Sequence, residues 1–233
     1  MDYSQQPSLL YQADLALNDF IHKVYMWMSA GLAVTGAVAL YMAAHPAMIV
    51  HMMQNQVLFW GMLIAQLGCV FVLAGMVQKM EANTAKAMFL FYAALTGITT
   101  SVIFLIYTRG SIANTFFVTA GTFAVMSIWG YSTKKDLTSM GHLLFMGLVG
   151  IIIASIANIF VHSSAMDKAV TYIGVVVFTG LTAYDTQRIK SMYVAGTQGE
   201  EETKEAILGA LALYLDFINL FLELLKLMGD RRD

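Results

Sequence analysis

The chain has 233 residues, 58% of them hydrophobic and only 12% charged, with a net charge of -2. Soluble domains carry about 25% charged residues, so lipid rather than water is the expected solvent. No basic block supports a nucleic-acid partner, and a single cysteine, Cys69 in an apolar run, excludes a disulfide framework and reads as an inert thiol.

The N-terminal segment, residues 1–23, lacks the basic stretch and short apolar core of a cleaved signal peptide, so the first apolar helix is expected to serve as its own insertion signal. Leu10, Ala13, Leu17 and Phe20 recur at helical spacing, which fits an amphipathic helix on the membrane surface. A plain exposed tail is the other reading. No Lys, Arg, Asp or Glu occurs between Val24 and Gln78, room for two spans separated by the polar break HPAMIVHMMQNQ. A span needs about 20 apolar residues. That ruler predicts seven spans, 24–44, 57–77, 87–107, 112–131, 142–162, 169–189 and 207–228, in one membrane domain over 24–228 followed by a short charged tail, 229–233. The expected fold is an all-α membrane protein. Its connections carry the charge, as in QKMEANTAK, TRGS and STKKDLTSMG, the longest being KSMYVAGTQGEEETKEA.

Lys and Arg near the span ends set orientation. The N-terminal side and the second, fourth and sixth loops hold Lys23, Lys79, Lys86, Lys134, Lys135, Arg188, Lys190 and Lys204, against Arg109 and Lys168 in the other loops. Eight against two predicts a cytoplasmic N-terminus. The tail, with Lys226, Arg231 and Arg232, then falls outside against the rule. A full seventh span is preferred over one that enters and returns. Gly97 with Ser101 and Ala120 with Ala124 suit close helix packing. The seventeen methionines are scattered and read as flexible packing. His45, His51, His142 and His162 show no metal spacing, and Asn158 reads as a helix-to-helix hydrogen bond rather than a ligand.

Two carboxylates stand out against this background. Asp216 interrupts LYLDFINLFLELL nine residues past Ile207, roughly 14 Å into the seventh span. An ionised Asp at a helix centre costs about 2.5–3.5 kcal/mol on insertion scales, so it should face the bundle interior and have partners there. Asn219 and Glu223 follow at i+3 and i+7 and share its face, while Glu223 is placed to pair with Lys226. The second acid, Asp185 in GLTAYDTQRI, sits near the end of the sixth span with Thr182 one turn before it. Both acids lie toward the same, cytoplasmic side, and contact between them is allowed. In contact they would share one proton. The pair would then alternate between a closed, proton-bridged form and an open, doubly charged form whose hard oxygens suit weak Ca²⁺ binding. The plainer alternatives remain: Asp185 paired with Arg188 at i+3, and Asp216 in a structural hydrogen bond to a neighbouring helix.

LYLDFINLFLELL, AYDTQRI, TKKDLTSMG and ANIF together resemble the Bax inhibitor-1 (transmembrane Bax inhibitor motif) family in a short bacterial version, from about Tyr25 to Met228. The resemblance implies six helices around a central seventh in the bacterial inner membrane. It further implies a pH-sensitive calcium leak gated by paired aspartates, here Asp185 and Asp216, and in eukaryotes a role in restraining cell death. Thr182, Arg188 and Asn219 are the expected supporting polar groups. Calcium ions and protons are the expected cargo and signal, with no tightly bound cofactor. Some family members latch an aspartate with an Arg at the cytoplasmic end of the second span. The stretch here is AGMVQKM, leaving only Gln78 or Lys79 as substitutes.

Two other classes compete. An intramembrane aspartyl protease would also use Tyr184-Asp185 and Asp216, but Leu213-Tyr214-Leu215 stands where it needs Gly-x-Gly, and the two prolines, Pro7 and Pro46, supply no Pro-Ala-Leu element. No enzyme is expected. A non-conducting regulator that binds a membrane protease or translocation machinery is the alternative function.

Overall fold

The computed structural model describes residues 6–193 and 199–232, with side chains from residue 14 onward. The helices are α1 (Gln6–Ala44), α2 (Pro46–Gln54), α3 (Gln56–Met76), α4 (Ala82–Thr100), α5 (Ile103–Ile106), α6 (Arg109–Ser132), α7 (Thr138–Val161), α8 (Ser164–Met192) and α9 (Glu200–Met228). Seven segments are long and apolar enough to cross a membrane, and each of the seven predicted spans falls on one of them. Large apolar side chains such as Val57, Phe71, Phe117, Phe160 and Val176 point outward from these helices. In water that would be an aggregation liability; in a bilayer it is the lipid-facing surface. The chain is an all-α membrane protein.

Three departures from the sequence reading have local causes. The polar break after the first span is itself a helix, α2, started by Pro46 at its first turn, where a missing N–H costs nothing. Ile49 and Met52, three residues apart, are its buried side. The third span is not one rod. Thr99, Thr100 and Ser101 each turn a hydroxyl back onto a carbonyl of the preceding turn, with Thr100 to Thr96 and Ser101 to Ile98 both at 2.6 Å. Such back-bonding competes with the helical ladder, and α4 stops there before α5 resumes. Finally, α1 is continuous from Gln6 through Ala44, so the N-terminal segment and the first span share one helix. Leu17 is half-buried and Phe20 fully buried, while the Leu10 and Ala13 side chains lie outside the described residues. Most of the long sixth connection is also helical; its residues 194–198 lie outside the described residues.

The chain packs as two compact units, one of residues up to 101 with 189–211, the other of 102–188 with 212 onward. In the first, α1 lies against α4 at Gly97, where a Cβ would come within 2.6 Å of the Thr35 carbonyl oxygen, and Thr35 donates to the Ala93 carbonyl at 2.8 Å. The Gly97 half of the expected small-residue contacts is thus a helix crossing. Lys23 bridges Asp19 and Glu202, both at 2.8 Å. Lys204, buried, reaches Glu201 and the Gln78 carbonyl, each at 3.4 Å. The backbone oxygen of Gln78 therefore serves a lysine of α9.

The second unit contains both singled-out aspartates. Its core is Ile151 of α7, Val170, Val177, Phe178 and Leu181 of α8, and Leu220 and Leu224 of α9. Phe116 and Phe123 of α6 meet Phe217 edge-on at 5.4 and 5.5 Å between centroids. The inner stripe of α6 is Thr115, Thr119, Phe123, Ser127 and Gly130, all buried. Ala124 is exposed, so the expected Ala120–Ala124 contact is not formed; the close approach falls at Gly130 instead. Asn158 also departs from expectation. Its side chain accepts from Ser163 N at 2.8 Å and closes the end of its own helix, where His162 takes the left-handed conformation at φ 53°.

After Met228 the tail folds onto the start of α6. Thr108 N donates to the Asp230 carbonyl at 3.1 Å, Arg232 N to Ile106 O at 2.8 Å, and Asp230 N to Ser111 Oγ at 2.9 Å. The Arg232 guanidinium donates to Phe104 O at 2.8 Å. The end of α9 thereby meets the connection between the third and fourth spans, as a full seventh crossing requires.

Candidate functional site

α9 is the most buried span: 61% of its most apolar window is inside the protein, against 6–39% for the other six. Asp216 sits sixteen residues from its start and twelve from its end, roughly 24 and 18 Å. It is 4% exposed. A short side chain at that depth cannot reach water by stretching, so whatever satisfies it must come from the protein. Its neighbours Leu213, Tyr214 and Phe217 are buried around it.

Asp185 lies seven residues from the end of α8, about two turns in. Its carboxyl is within hydrogen-bonding reach of that of Asp216. Arg188, exposed one turn further along α8, acts on Asp185 electrostatically. The structure thus brings the two aspartates together and keeps the helix-exit arginine beside one of them. The second oxygen of Asp216, Oδ2, is buried without a hydrogen-bond partner among the described residues.

The other polar groups are placed differently. Thr182, fully buried, donates to the Phe178 carbonyl at 2.8 Å, and Asn219 donates to Leu215 O at 2.8 Å. The single Thr182 proton is spent within its own helix, and Asn219 turns one of its two N–H donors back onto its own helix. Glu223 pairs with Lys226 at 3.0 Å, as its spacing predicted.

What holds Asp185 in register was not read from the sequence. Just before it, α8 is gripped from two sides. Gly130 of α6 touches the backbone of Ala183, and Gly141 of α7 leaves room for the Tyr184 ring. Just after it, Gln187 accepts from Leu137 N and donates to Lys135 O, both at 2.8 Å, so the loop at 133–137 is tied to α8. Within that loop, hydrogen bonds from the Thr138 hydroxyl and backbone hold the Asp136 carboxyl below the usual carboxylate range. Its members, Gly130, Gly141 and Gln187, lie on three different helices and share no spacing that could have signalled the clamp. Among the described residues, no three His, Cys, Asp or Glu converge as a metal site.

The chain is thus a seven-span helical membrane protein in which a buried carboxylate on the last span, Asp216, meets a half-buried one, Asp185, on the span before it. The chain belongs to the family described as "Inhibitor of apoptosis-promoting Bax1", which matches residues 17–233. Among its relatives is the inner membrane protein YbhL of Escherichia coli K12, 48% identical over the whole length of both chains. An uncharacterized protein of Borreliella burgdorferi is 46% identical, covering 95% of this chain and 96% of its own. An uncharacterized membrane protein of Streptococcus pyogenes serotype M3 is 37% identical, covering 94% and 95%.

Proposed function

We propose that this chain is a calcium leak of the bacterial inner membrane, opened and closed by the proton shared between Asp185 and Asp216. The observation that carries the reading is their contact: two carboxyl groups within hydrogen-bonding reach in a water-poor site cannot both ionise cheaply and so share one proton. With the proton present, an O–H···O bond bridges α8 to α9 and the path is closed. Loss of the proton leaves two anions that repel, and the helices separate there. The freed oxygens, together with Asp216 Oδ2, which has no hydrogen-bond partner among the described residues, then offer hard ligands to a divalent cation. Two carboxylates make a transit site rather than a store, since tight calcium sites gather six to eight oxygens. Peptide hydrolysis by the same pair is disfavoured because bulky, buried Leu213 and Tyr214 pack the backbone ahead of Asp216 where a protease needs an open approach.

The inner-membrane placement is supported by the similarity to the inner membrane protein YbhL of E. coli, and the cytoplasmic N-terminus by the lysine and arginine distribution. The test is calcium entry into pure-lipid vesicles containing the full chain. Wild type should pass more calcium as pH rises and the bridge deprotonates. Asp216→Asn and Asp185→Asn should each lose that dependence. Vesicles no leakier than empty ones would favour the non-conducting regulator, and intact pH dependence in both variants would defeat the proton switch.

A further inference from the structure

Asp216 is not the only acid buried on α9. Glu223 lies seven residues on, about 10.5 Å along the same helix face, and is 8% exposed. One of its oxygens, Oε1, receives the Lys226 ammonium at 3.0 Å. The other, Oε2, is buried without a hydrogen-bond partner among the described residues. An i,i+3 pair with a lysine as exposed as Lys226 returns little stability, whereas a buried carboxylate oxygen left unsatisfied costs more than such a pair returns. A structural ion pair would have no reason to bury the acid and leave its partner outside.

The surroundings are shaped for the carboxylate. Gly174 of α8 faces it, and a Cβ there would come within 2.9 Å of Glu223 Cγ and 3.2 Å of Cδ. Any larger residue would push the acid out of its recess. Leu220 and Leu224, on the same helix, pack into the apolar core with α7 and α8, so the recess is otherwise greasy. Asn219, whose side chain also carries an oxygen, stands between Asp216 and Glu223 on the stripe.

We infer that Glu223 is a second cation station on α9, taking a divalent cation such as calcium in line with the Asp185–Asp216 pair, with Lys226 as the counter-charge that holds the site between passages. Lys226 is half-exposed on a flexible stem and can swing aside, whereas Glu223 is confined against Gly174. The inference rests on the proposed calcium leak for the ion that passes, but cation binding at Glu223 is separable from it.

Two arms test the station. In vesicles, Glu223→Gln should slow calcium entry about tenfold, the factor that about 1.4 kcal/mol of lost attraction corresponds to, while the pH midpoint set by the aspartates stays put. Lys226→Gln, which removes the competing cation, should speed it. In detergent, the Asp185→Asn/Asp216→Asn double variant should still gain thermal stability from millimolar calcium, and adding Glu223→Gln should abolish that gain. Failure of wild type to pass calcium would sink the leak and leave the detergent arm to decide on Glu223. The station is overturned if the double variant shows no calcium-dependent stabilisation. It is equally overturned if Glu223→Gln and Lys226→Gln change flux in the same direction alongside an equal loss of thermal stability, the mark of a structural pair.

Discussion

Gly130 of α6 rests directly on Ala183 of α8: a Cβ at position 130 would stand 2.8 Å from the Ala183 Cα and closer still to its carbonyl oxygen. Backbone against backbone leaves nothing soft to yield. Gly130→Ala should therefore destabilise the protein by about 1–3 kcal/mol, the range for overpacking, read as a lower thermal midpoint in detergent. Because Asp185 is two residues from the contact, the same substitution should also displace the pH profile of calcium entry. Gly121→Ala, on the same helix with open space at its Cβ, should do neither.

Contact between the aspartates makes a statement about additivity. Groups that act through one shared proton form a single device, so removing the second after the first should do no further harm. The Asp185→Asn/Asp216→Asn double variant should be no worse in pH-dependent flux than the worse single variant. Summed defects would mean two independent acids that happen to be neighbours.

Much of this arrangement was open to sequence reading, for reasons that the exceptions make plain. A charge-free run long enough to span a bilayer is a one-dimensional signal, and so is an aspartate in the middle of LYLDFINLF; both survive without knowledge of neighbours. The break at Ser101 depended on three hydroxyls competing with the helical ladder, which composition alone reports as a merely apolar run with polar dots. Ala120 and Ala124 have the spacing of a packing motif, yet Gly130 makes the crossing, since only the pairing of α6 with α8 decides which small residue meets a backbone. Glu223 was legible as an ion pair from its distance to Lys226. That its carboxyl group packs against Gly174 belongs to a contact between helices, 49 residues apart in sequence.

Gln187 joins the loop at 133–137 to α8 through two hydrogen bonds of opposite sense, accepting from Leu137 N and donating to Lys135 O. Gln187→Ala would strand the amide of Leu137, a buried residue, at a cost of about 1–3 kcal/mol. Gln187→Glu keeps the acceptor and loses the donor, so it should fall between the two. Amide exchange at Leu137 is the direct measure and should quicken in the order wild type, Glu, Ala. The same loop carries a pH limit. Asp136 has a folded-state pKa held below 3.8 by Thr138, so its contribution is present above about pH 4 and is lost as pH falls through the lowered value. Asp136→Asn should remove that acid sensitivity of the loop and leave neutral-pH exchange little changed.

The C-terminal strap makes an independent claim. Asp230 and Arg232 fix the tail to the 104–111 segment through backbone and side-chain bonds, so truncation after Gly229 should expose the Thr108 amide, whose acceptor is the Asp230 carbonyl. Exchange at Thr108 should rise many-fold, with a loss of about 0.5–1.5 kcal/mol for each bond removed. Protection that survives truncation would show that the start of α6 is held by its own Thr108 cap instead.

Orientation is the last consequence, and it turns on two exposed positions near span ends. Lys134 lies in the connection between α6 and α7, and Asp167 in the first turn of α8, one span further along the chain. Seven crossings with a cytoplasmic N-terminus put residue 134 inside the cell and residue 167 outside. With Cys69 replaced by Ser, a membrane-impermeant thiol reagent applied to intact spheroplasts should label Asp167→Cys and spare Lys134→Cys until the membrane is opened. The inverse pattern would turn the protein over. The lysines and arginines that outnumber their counterparts eight to two would then face outward against the usual bias, and the aspartate pair would answer to external rather than cytoplasmic pH.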